Sequence, residues 1–501
     1  MNMASLLRKR RENAENNTAL IVNDAAISFS ELDTLVDIHA GKLKATGIKH
    51  GDVVASMLPN GLEYVVNYFS VLRLGAIFMP IDIRTPIAEL KLVFEDANPK
   101  ALVSGSRCVE ASLLKWFDKE KITLKPGIMT HDTLKEPNVN LIGDADILDD
   151  EPVIYMYTSG STGRPKGVIL PNRALEIFPE GCCKLFGLKI AEHVLGVSMP
   201  MSHIGGPIYL NVLATFGTRL VIVEPFRPDR FLKAISKHKI TVFHSVPPII
   251  TSLLQVPNLE RYNLSSLQWI APMGMSVPVS LIMALESVFS NAYVIQGYGL
   301  TETAGMLTAL TKGNTKRKRG SIGSILVPAT EIKIIDEWGK DLNDGEVGEL
   351  VISGKCLMLG YHNCPELNTN MMKDGWFYTG DLGCRDKEGF FYHKGRKDDV
   401  INVGGLKVYP AEIEEVILQH PKVKETCVLG IANARRGKAI KAFVRLIPGQ
   451  NISEKDLIHF LKDRMVNYKV PRQVEYLERL PKTSNGKIDK ALLLTCQAAY
   501  L

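Results

Sequence analysis

The 501-residue chain has no run approaching the roughly 18 consecutive apolar residues that a membrane-spanning helix needs, so none is expected. Its eight cysteines, Cys108, Cys182, Cys183, Cys356, Cys364, Cys384, Cys427 and Cys496, form no CxxC pair and no Cys/His cluster with zinc spacing. A chain of this length buries a large core without covalent staples, so the thiols read as reduced and the protein as cytoplasmic. The basic N-terminus, MNMASLLRKRRENAENN, is followed by no apolar stretch and does not read as a signal peptide. Neither charge sign dominates: Lys plus Arg is 60 against 54 Asp plus Glu, a net +6, which argues against a dedicated nucleic-acid binder while leaving small anionic substrates open. There is no internal repeat and no low-complexity tract.

What is present is globular: 46% hydrophobic and 23% charged residues, with length for roughly three domains. Up to about residue 325, short apolar runs alternate with helix-like segments. VIYMY at 153–157, VLGVSMP at 194–200, RLVIV at 219–223, TVFHSV at 241–246 and YVIQGYG at 293–299 are such runs. The rhythm predicts βα units around a mostly parallel sheet. From about 330 the texture turns to hairpins, with Asn343-Asp344-Gly345 at a bend. KGRKDDVINVGG at 394–405 reads as a linker. Beyond it, Ile413, Val416 and Ile417 stand at helical spacing, two strand-like runs follow, and Ser453 caps a helix with Leu457, Phe460 and Leu461 on one face. The fold class is therefore α/β: a large N-terminal domain of βα units with a β-rich subdomain, then a small α+β C-terminal domain.

The most informative segment is Thr158, Ser159, Gly160, Ser161, Thr162, Gly163, Arg164, Pro165, Lys166, Gly167, directly after a strand-like run. Glycines let a backbone turn its N–H groups inward, hydroxyls add donors and Lys166 adds a point charge, a combination suited to phosphate. The alternative is a polar surface loop. It is not a Walker A loop, which needs GxxxxGK followed by Ser or Thr. GYGLTE at 297–302 does not complete GxGxxG either, so a Rossmann dehydrogenase is disfavoured.

YTSGSTGRPKG at 157–167 closely resembles the signature of the acyl-adenylate-forming enzymes, which include acyl-CoA synthetases, peptide-synthetase adenylation domains and firefly luciferase. Further segments match in order: QGYGLTET at 296–303, YTGDL at 378–382, GRKDDVINVGGLKVYPAEIE at 395–414 and PKTSNGKIDK at 481–490. The resemblance spans nearly the whole chain. It implies an N-terminal adenylate-forming domain over 1–395, a hinge at 396–400 and a mobile C-terminal domain over 401–501. It implies ATP, Mg²⁺ and coenzyme A, and a reaction in which a carboxylate forms acyl-AMP before a thiol displaces AMP.

The same resemblance assigns roles residue by residue. Lys487 would bridge carboxylate and phosphate, where an ammonium cancels the repulsion of two anions; without the motif it would be a solvated lysine. Glu302 would hold Mg²⁺, with Thr301 and Thr158 directing hydroxyls to metal or phosphate. Tyr298, between Gly297 and Gly299, would pack on adenine, and Asp381 would accept from the ribose hydroxyls. Arg396 would reach ribose or phosphate, and Asp398 would be the hinge residue. Gly404 and Gly405 would leave room for a pantetheine arm. His203 would border the acyl carboxylate. Gly274 carries over to the nucleotide site, although Met273 and Met275 replace the usual small neighbours.

Amino-acid-activating members carry an aspartate near the position of Ser202. The segment Met-Ser-His-Ile has none, and an unpaired buried ammonium would be costly, so amino acids are disfavoured. Around His244, Ser245 and Val246 the sequence is largely apolar, which suits a fatty or aryl acid. With no carrier domain fused, coenzyme A is the simplest acceptor; Arg435 and Arg436 would meet its phosphates or form a solvated turn. Loading of a separate carrier protein is the alternative, a luciferase-like oxidation is remote, and a non-catalytic nucleotide-binding homologue remains to be tested. The runs Arg8 to Arg11 and Lys316 to Arg319 read as solvated faces.

Overall fold

The computed structural model describes residues 2–105, 123–126, 141–158, 164–186, 190–275, 277–403, 405–433, 437–482 and 488–498. Two seven-stranded sheets form the larger part. The first runs, in spatial order, Tyr293–Val294, Trp269–Pro272, Val242–Ser245, Val194–Val197, Arg219–Ile222, Thr18–Val22 and Ala25–Ser28. Its pairs are parallel up to the last, which is antiparallel. The second runs Gly360–Tyr361, Lys166–Pro171, Pro152–Thr158, Ile77–Pro80, Val53–Met57, Ala101–Ser104 and Thr123–Pro126.

Alternation along each strand decides the layers. Val54 faces the core shared by both sheets while Ala55 faces the opposite one; Val242 and Phe243 divide in the same way. Helices Phe29–Ala45, Leu62–Arg73 and Gly205–Phe216 fill the shared core, with Leu35, Tyr68 and Leu213 fully buried. Strands buried on both faces are near-continuous apolar runs, which is why they were visible in the sequence. One run splits: Tyr293–Val294 stays in the parallel sheet, whereas Gly297–Leu300 joins a three-stranded antiparallel sheet with Gly305–Ala309 and Ser324–Ile325.

The β-rich part is antiparallel, with Thr330–Ile335, Gly348–Gly354, Trp376–Arg385, Met372–Lys373 and Phe391–Arg396. The expected linker is shorter than it reads. Lys394 to Arg396 complete a strand, Lys397–Asp399 is one 3-10 turn, and Ile401–Val403 starts the next sheet. That sheet and helices Pro410–Leu418 and Glu454–Lys462 enclose cores drawn from residues after 400. Ser453 caps the second helix by accepting from the Asp456 N–H at 3.1 Å.

The basic runs are solvated faces only in part: Lys9, Lys316 and Arg317 are exposed, whereas Arg8, Arg11, Lys318 and Arg319 are half-buried and ion-paired. On helix Met3–Ala14, Arg8 pairs with Asp37 at 2.7 Å and Asp144 at 3.2 Å, and Arg11 pairs with Asp33 at 3.2 Å. These acids also surround Arg73, which is fully buried. In the second run, Arg317 and Lys318 bind Glu388, Lys318 also binds Asp386, and Arg319 binds Glu286. Every partner lies far away in sequence, so a local reading of charge could not find it. Among the described residues no helix is long and apolar enough to cross a membrane. Cys182, Cys356, Cys364, Cys384 and Cys427 are free thiols.

Candidate nucleotide and acyl site

Strands Pro152–Thr158 and Lys166–Pro171 are antiparallel neighbours, with Thr158 opposite Lys166. The two ends of the glycine-rich segment are thereby held side by side. Ser159, Gly160, Ser161, Thr162 and Gly163 lie outside the described residues. Below this hairpin the Tyr157 hydroxyl donates to Asp96, whose carboxylate also receives Asn363 Nδ2 at 3.2 Å. Gly167 leaves room for that phenol, since a Cβ there would stand 2.9 Å from the Tyr157 ring.

Two polar groups gather side chains of the segments singled out in the sequence. In one, Tyr361 OH donates to Glu302 Oε1 at 2.8 Å, and the Lys166 ammonium lies 5.8 Å from the centre of the Tyr361 ring. Glu302 occupies the 3-10 turn Thr301–Thr303, closed by an Ala304 N–H bond to the Thr301 carbonyl at 3.1 Å. Burial and the Glu302 carboxylate together push the Tyr361 phenol upward, so it stays a donor.

In the other group, Asp381 accepts from Tyr298 OH on Oδ2 at 2.7 Å and from Arg396 Nη1 on Oδ1 at 2.9 Å. His393 lies 3.6 Å from Oδ1, and its ring is stacked near Tyr298. Burial pulls the Asp381 carboxyl up, but His393, Arg396 and Tyr298 outweigh it and hold it below the ordinary carboxylate value. Burial likewise works against the Arg396 charge, and Asp381 reverses the balance and raises its pKa. Tyr298 titrates well above an ordinary phenol, chiefly because it is buried.

Backbone crowding explains the glycines beside Tyr298. A Cβ at Gly299 would lie 1.9 Å from the Gly305 carbonyl oxygen, and one at Gly297 would lie 2.6 Å from that of Thr308. The neighbouring strand passes too close for any side chain.

His203 belongs to a different group. Its Nε2 is 3.7 Å from Asp82 Oδ2, and Ser202 Oγ is 3.5 Å from the same oxygen. The local segment has no acid, as read, but one stands beside Ser202 from afar: Asp82, two residues past strand Ile77–Pro80. Arg84 already engages it, with Nε at 2.9 Å and Nη2 at 2.6 Å. Burial opposes the Asp82 charge, and Arg84 outweighs it to leave the pKa lowered.

Next to this group, the His244 ring stacks on Tyr209 at 4.3 Å and sits over Gly205, where a Cβ would meet His244 Nε2 at 2.8 Å. Burial brings His244 down to about 4, so the imidazole is neutral near pH 7. The Ser245 hydroxyl is buried without a hydrogen-bond partner among the described residues. Met273 donates its N–H to the Ser245 carbonyl at 2.8 Å, and Gly274 follows at φ +83°.

Asp398 stands in the turn Lys397–Asp399, which Lys397 ties to Glu349 at 2.8 Å. Gly405 has φ +88° and an N–H bonded to Asn402 at 3.0 Å. Gly404, Arg435, Arg436 and Lys487 lie outside the described residues. The sequence reading missed Tyr361, His393 and Asp82. No motif spacing marks them, and only the GYHN segment after an apolar stretch offers a local signal for the first.

The sequence profile of the AMP-binding enzyme matches residues 7–362, and that of the AMP-binding enzyme C-terminal domain matches residues 412–487. A long-chain-fatty-acid–CoA ligase of Bacillus subtilis is 31% identical, covering 98% of this chain and 94% of its own. An indoleacetate–CoA ligase of Aromatoleum aromaticum is 31% identical over 94% of each chain. The o-succinylbenzoate coenzyme A synthetase of Bacillus subtilis, solved with ATP and magnesium ion, superposes with a TM-score of 0.85 at 28% identity, covering 96% of this chain and 98% of that one. These matches agree with the motif order and with the α/β architecture. The chain belongs to the AMP-binding enzyme family.

Proposed function

We propose that the chain is an ATP-dependent acid–CoA ligase that forms an acyl-adenylate and passes the acyl group to coenzyme A. The observation that carries this reading is the pair of adjacent polar groups, Tyr298–Asp381–Arg396 and Lys166–Tyr361–Glu302.

The residues present suit ATP and magnesium. Tyr298 and Arg396 each take one Asp381 oxygen, and a carboxylate has about four lone-pair sites, which leaves acceptors for ribose hydroxyls. Among the described residues no cluster of three or more His, Cys, Asp or Glu could hold a metal alone. A single carboxylate fits an ion that keeps waters and shares phosphate oxygens, and Glu302 supplies it. When bound, magnesium neutralises phosphate charge.

The chain's own groups do the rest. Asp381 and Tyr298 orient the nucleoside, and Lys166 and Arg396 bring positive charge to the phosphate side. A carboxylate oxygen attacks the α-phosphorus; the new O–P bond forms as the bridging P–O bond to the β-phosphate breaks, and pyrophosphate leaves. Lys487 is assigned to hold the two anions together in this step. The thiol sulfur then attacks the acyl carbon and loses its proton, and AMP leaves with the electron pair.

Arg84 occupies Asp82, so no carboxylate there is free for a substrate ammonium. The neutral His244 and the stacked Tyr209 suit an uncharged acyl tail. Fatty and aryl acids, the classes named for the two ligases above, are therefore the proposed substrates.

A carboxylic-acid screen with coenzyme A, reading AMP release, tests the reaction. Lys487→Ala is expected to abolish ATP–pyrophosphate exchange while ATP still binds. No exchange with any acid would leave a nucleotide-binding protein, and acyl transfer to a carrier protein but not to coenzyme A would change the acceptor.

A further inference from the structure

Parallel strands Trp269–Pro272, Val242–Ser245 and Val194–Val197 lie side by side, with His244 opposite Ala271 on one neighbour and Val197 on the other. In open α/β sheets, ligands bind past the carboxyl ends of such strands. The packing opens there: Met199, His203, Val246, Met273 and Gly274 all keep some solvent access. Within strand Val242–Ser245 the other three residues are buried, and only His244 is not sealed.

The imidazole is held in one orientation. Its ring stacks on Tyr209, with centroids 4.3 Å and planes 14° apart. The Tyr209 hydroxyl is already used: it donates to the Gly196 carbonyl at 2.9 Å and accepts from the His244 backbone N–H at 3.2 Å. His244 Nε2 stands over Gly205, where a Cβ would come within 2.8 Å of it. Gly205 lies two residues after His203, and the Gly206 N–H bonds to the His203 carbonyl at 2.8 Å, so the chain turns tightly between the two histidines. Among the described residues the imidazole has no hydrogen-bond partner of its own. Burial alone keeps it neutral near pH 7, with one N–H to donate and one lone pair to accept.

We propose that His244 is a specificity-determining residue that hydrogen-bonds an uncharged hydroxyl on the acyl tail, so that hydroxylated acids are preferred over their plain hydrocarbon counterparts. This rests on the acid–CoA ligase reading given above. A tail whose carboxylate lies at His203 passes the bare backbone of Gly205 and meets His244 next. A hydroxyl both donates and accepts, so it satisfies the neutral ring in either tautomer. An ammonium would find one acceptor and no counter-charge, and a second carboxylate would find one donor and no cation. A hydrocarbon tail would cover the imidazole and strip it of water without replacing the bond, which is the penalty that drives discrimination.

The test compares kcat/KM within matched pairs: benzoate against each monohydroxybenzoate, cinnamate against each monohydroxycinnamate, and octanoate against its ω-hydroxy form, with AMP release as the readout. In the parent, the hydroxylated member of at least one pair is expected to be favoured by about tenfold or more. His244→Phe keeps the stack on Tyr209 and removes both ring nitrogens. It should bring that preference to within about twofold of unity and leave the KM for ATP within about twofold of the parent. His244→Gln returns a donor and an acceptor and should recover part of the preference. Gly205→Ala crowds Nε2 without touching the histidine and should also reduce the preference, which keeps the test open if a ring variant fails to fold. A preference below about twofold in every pair, or one that persists in His244→Phe, would overturn the proposal and leave the ligase reading standing. AMP release with no acid at all would remove that reading, and the proposal with it.

Discussion

The Tyr361 hydroxyl donates to Glu302 at 2.8 Å, so a strand only two residues long fixes the acid of the turn Thr301–Thr303. A hydrogen bond to a charged group contributes about 1.5–3 kcal/mol, which makes the phenol more than a packing element. Tyr361→Phe keeps the ring beneath Lys166 and removes only the donor. Pyrophosphate exchange is expected to fall about tenfold, with a higher magnesium concentration at half-maximal rate. Exchange measured across a magnesium series checks this.

Tyr298 and Asp381 form a directly bonded pair, so their substitutions should not add. Asp381→Asn is expected to weaken nucleotide binding at least tenfold and Tyr298→Phe less. The double variant should be better than the sum by on the order of 1 kcal/mol. Calorimetric titration with AMP in the four proteins reads the coupling.

Arg73 is wholly enclosed by Asp33, Asp37 and Asp144. Burial raises the Asp37 carboxyl despite Arg73 and Arg8, so this acid is already costly to keep charged. Arg73→Met would leave Asp33 and Asp37 buried with only the more exposed Arg8 and Arg11 as partners, and is expected to destabilise the fold by about 3 kcal/mol. Denaturant unfolding at neutral pH measures it.

His39 is buried, and its ring is 2.9 Å from Asn67 Oδ1. Burial lowers it from 6.5 to about 4. The unfolded chain therefore takes up this proton first as pH falls. Stability from this site is complete above 6.5 and drains away between 6.5 and about 4, by on the order of 3 kcal/mol in full. His39→Gln should flatten the loss of stability between pH 7 and pH 5 relative to the parent. Unfolding curves at both values decide it, and the parent's remaining slope includes His244, which shifts in the same direction.

Much of this was legible in the sequence, for a physical reason. Runs such as 194–197 and 219–223 are apolar because parallel strands between helical layers are covered on both faces. The motif residues Tyr298, Glu302, Asp381 and Arg396 each sit beside glycines or turn residues that mark a local conformation, and they meet in space. What escaped were single side chains supplied from afar. Asp82 reaches Ser202 across 120 positions, and Tyr361 reaches Glu302 across 59. The basic runs misled because Arg8 and Lys318 are neutralised by acids on other elements, and local charge patterns carry no information about those.

The strand Gly360–Tyr361 is the outermost member of its sheet and lies along Lys166–Pro171, almost two hundred residues upstream. Without it, the hairpin of strands Pro152–Thr158 and Lys166–Pro171 would present an open row of amides and carbonyls, the kind of edge on which chains stick to one another. During synthesis that edge has no native cover until Tyr361 has emerged, so completing this sheet is a late event. A fragment ending before Gly360 should accordingly aggregate through this hairpin, while one extended past Asn363 gains both the covering strand and its fastening to Asp96.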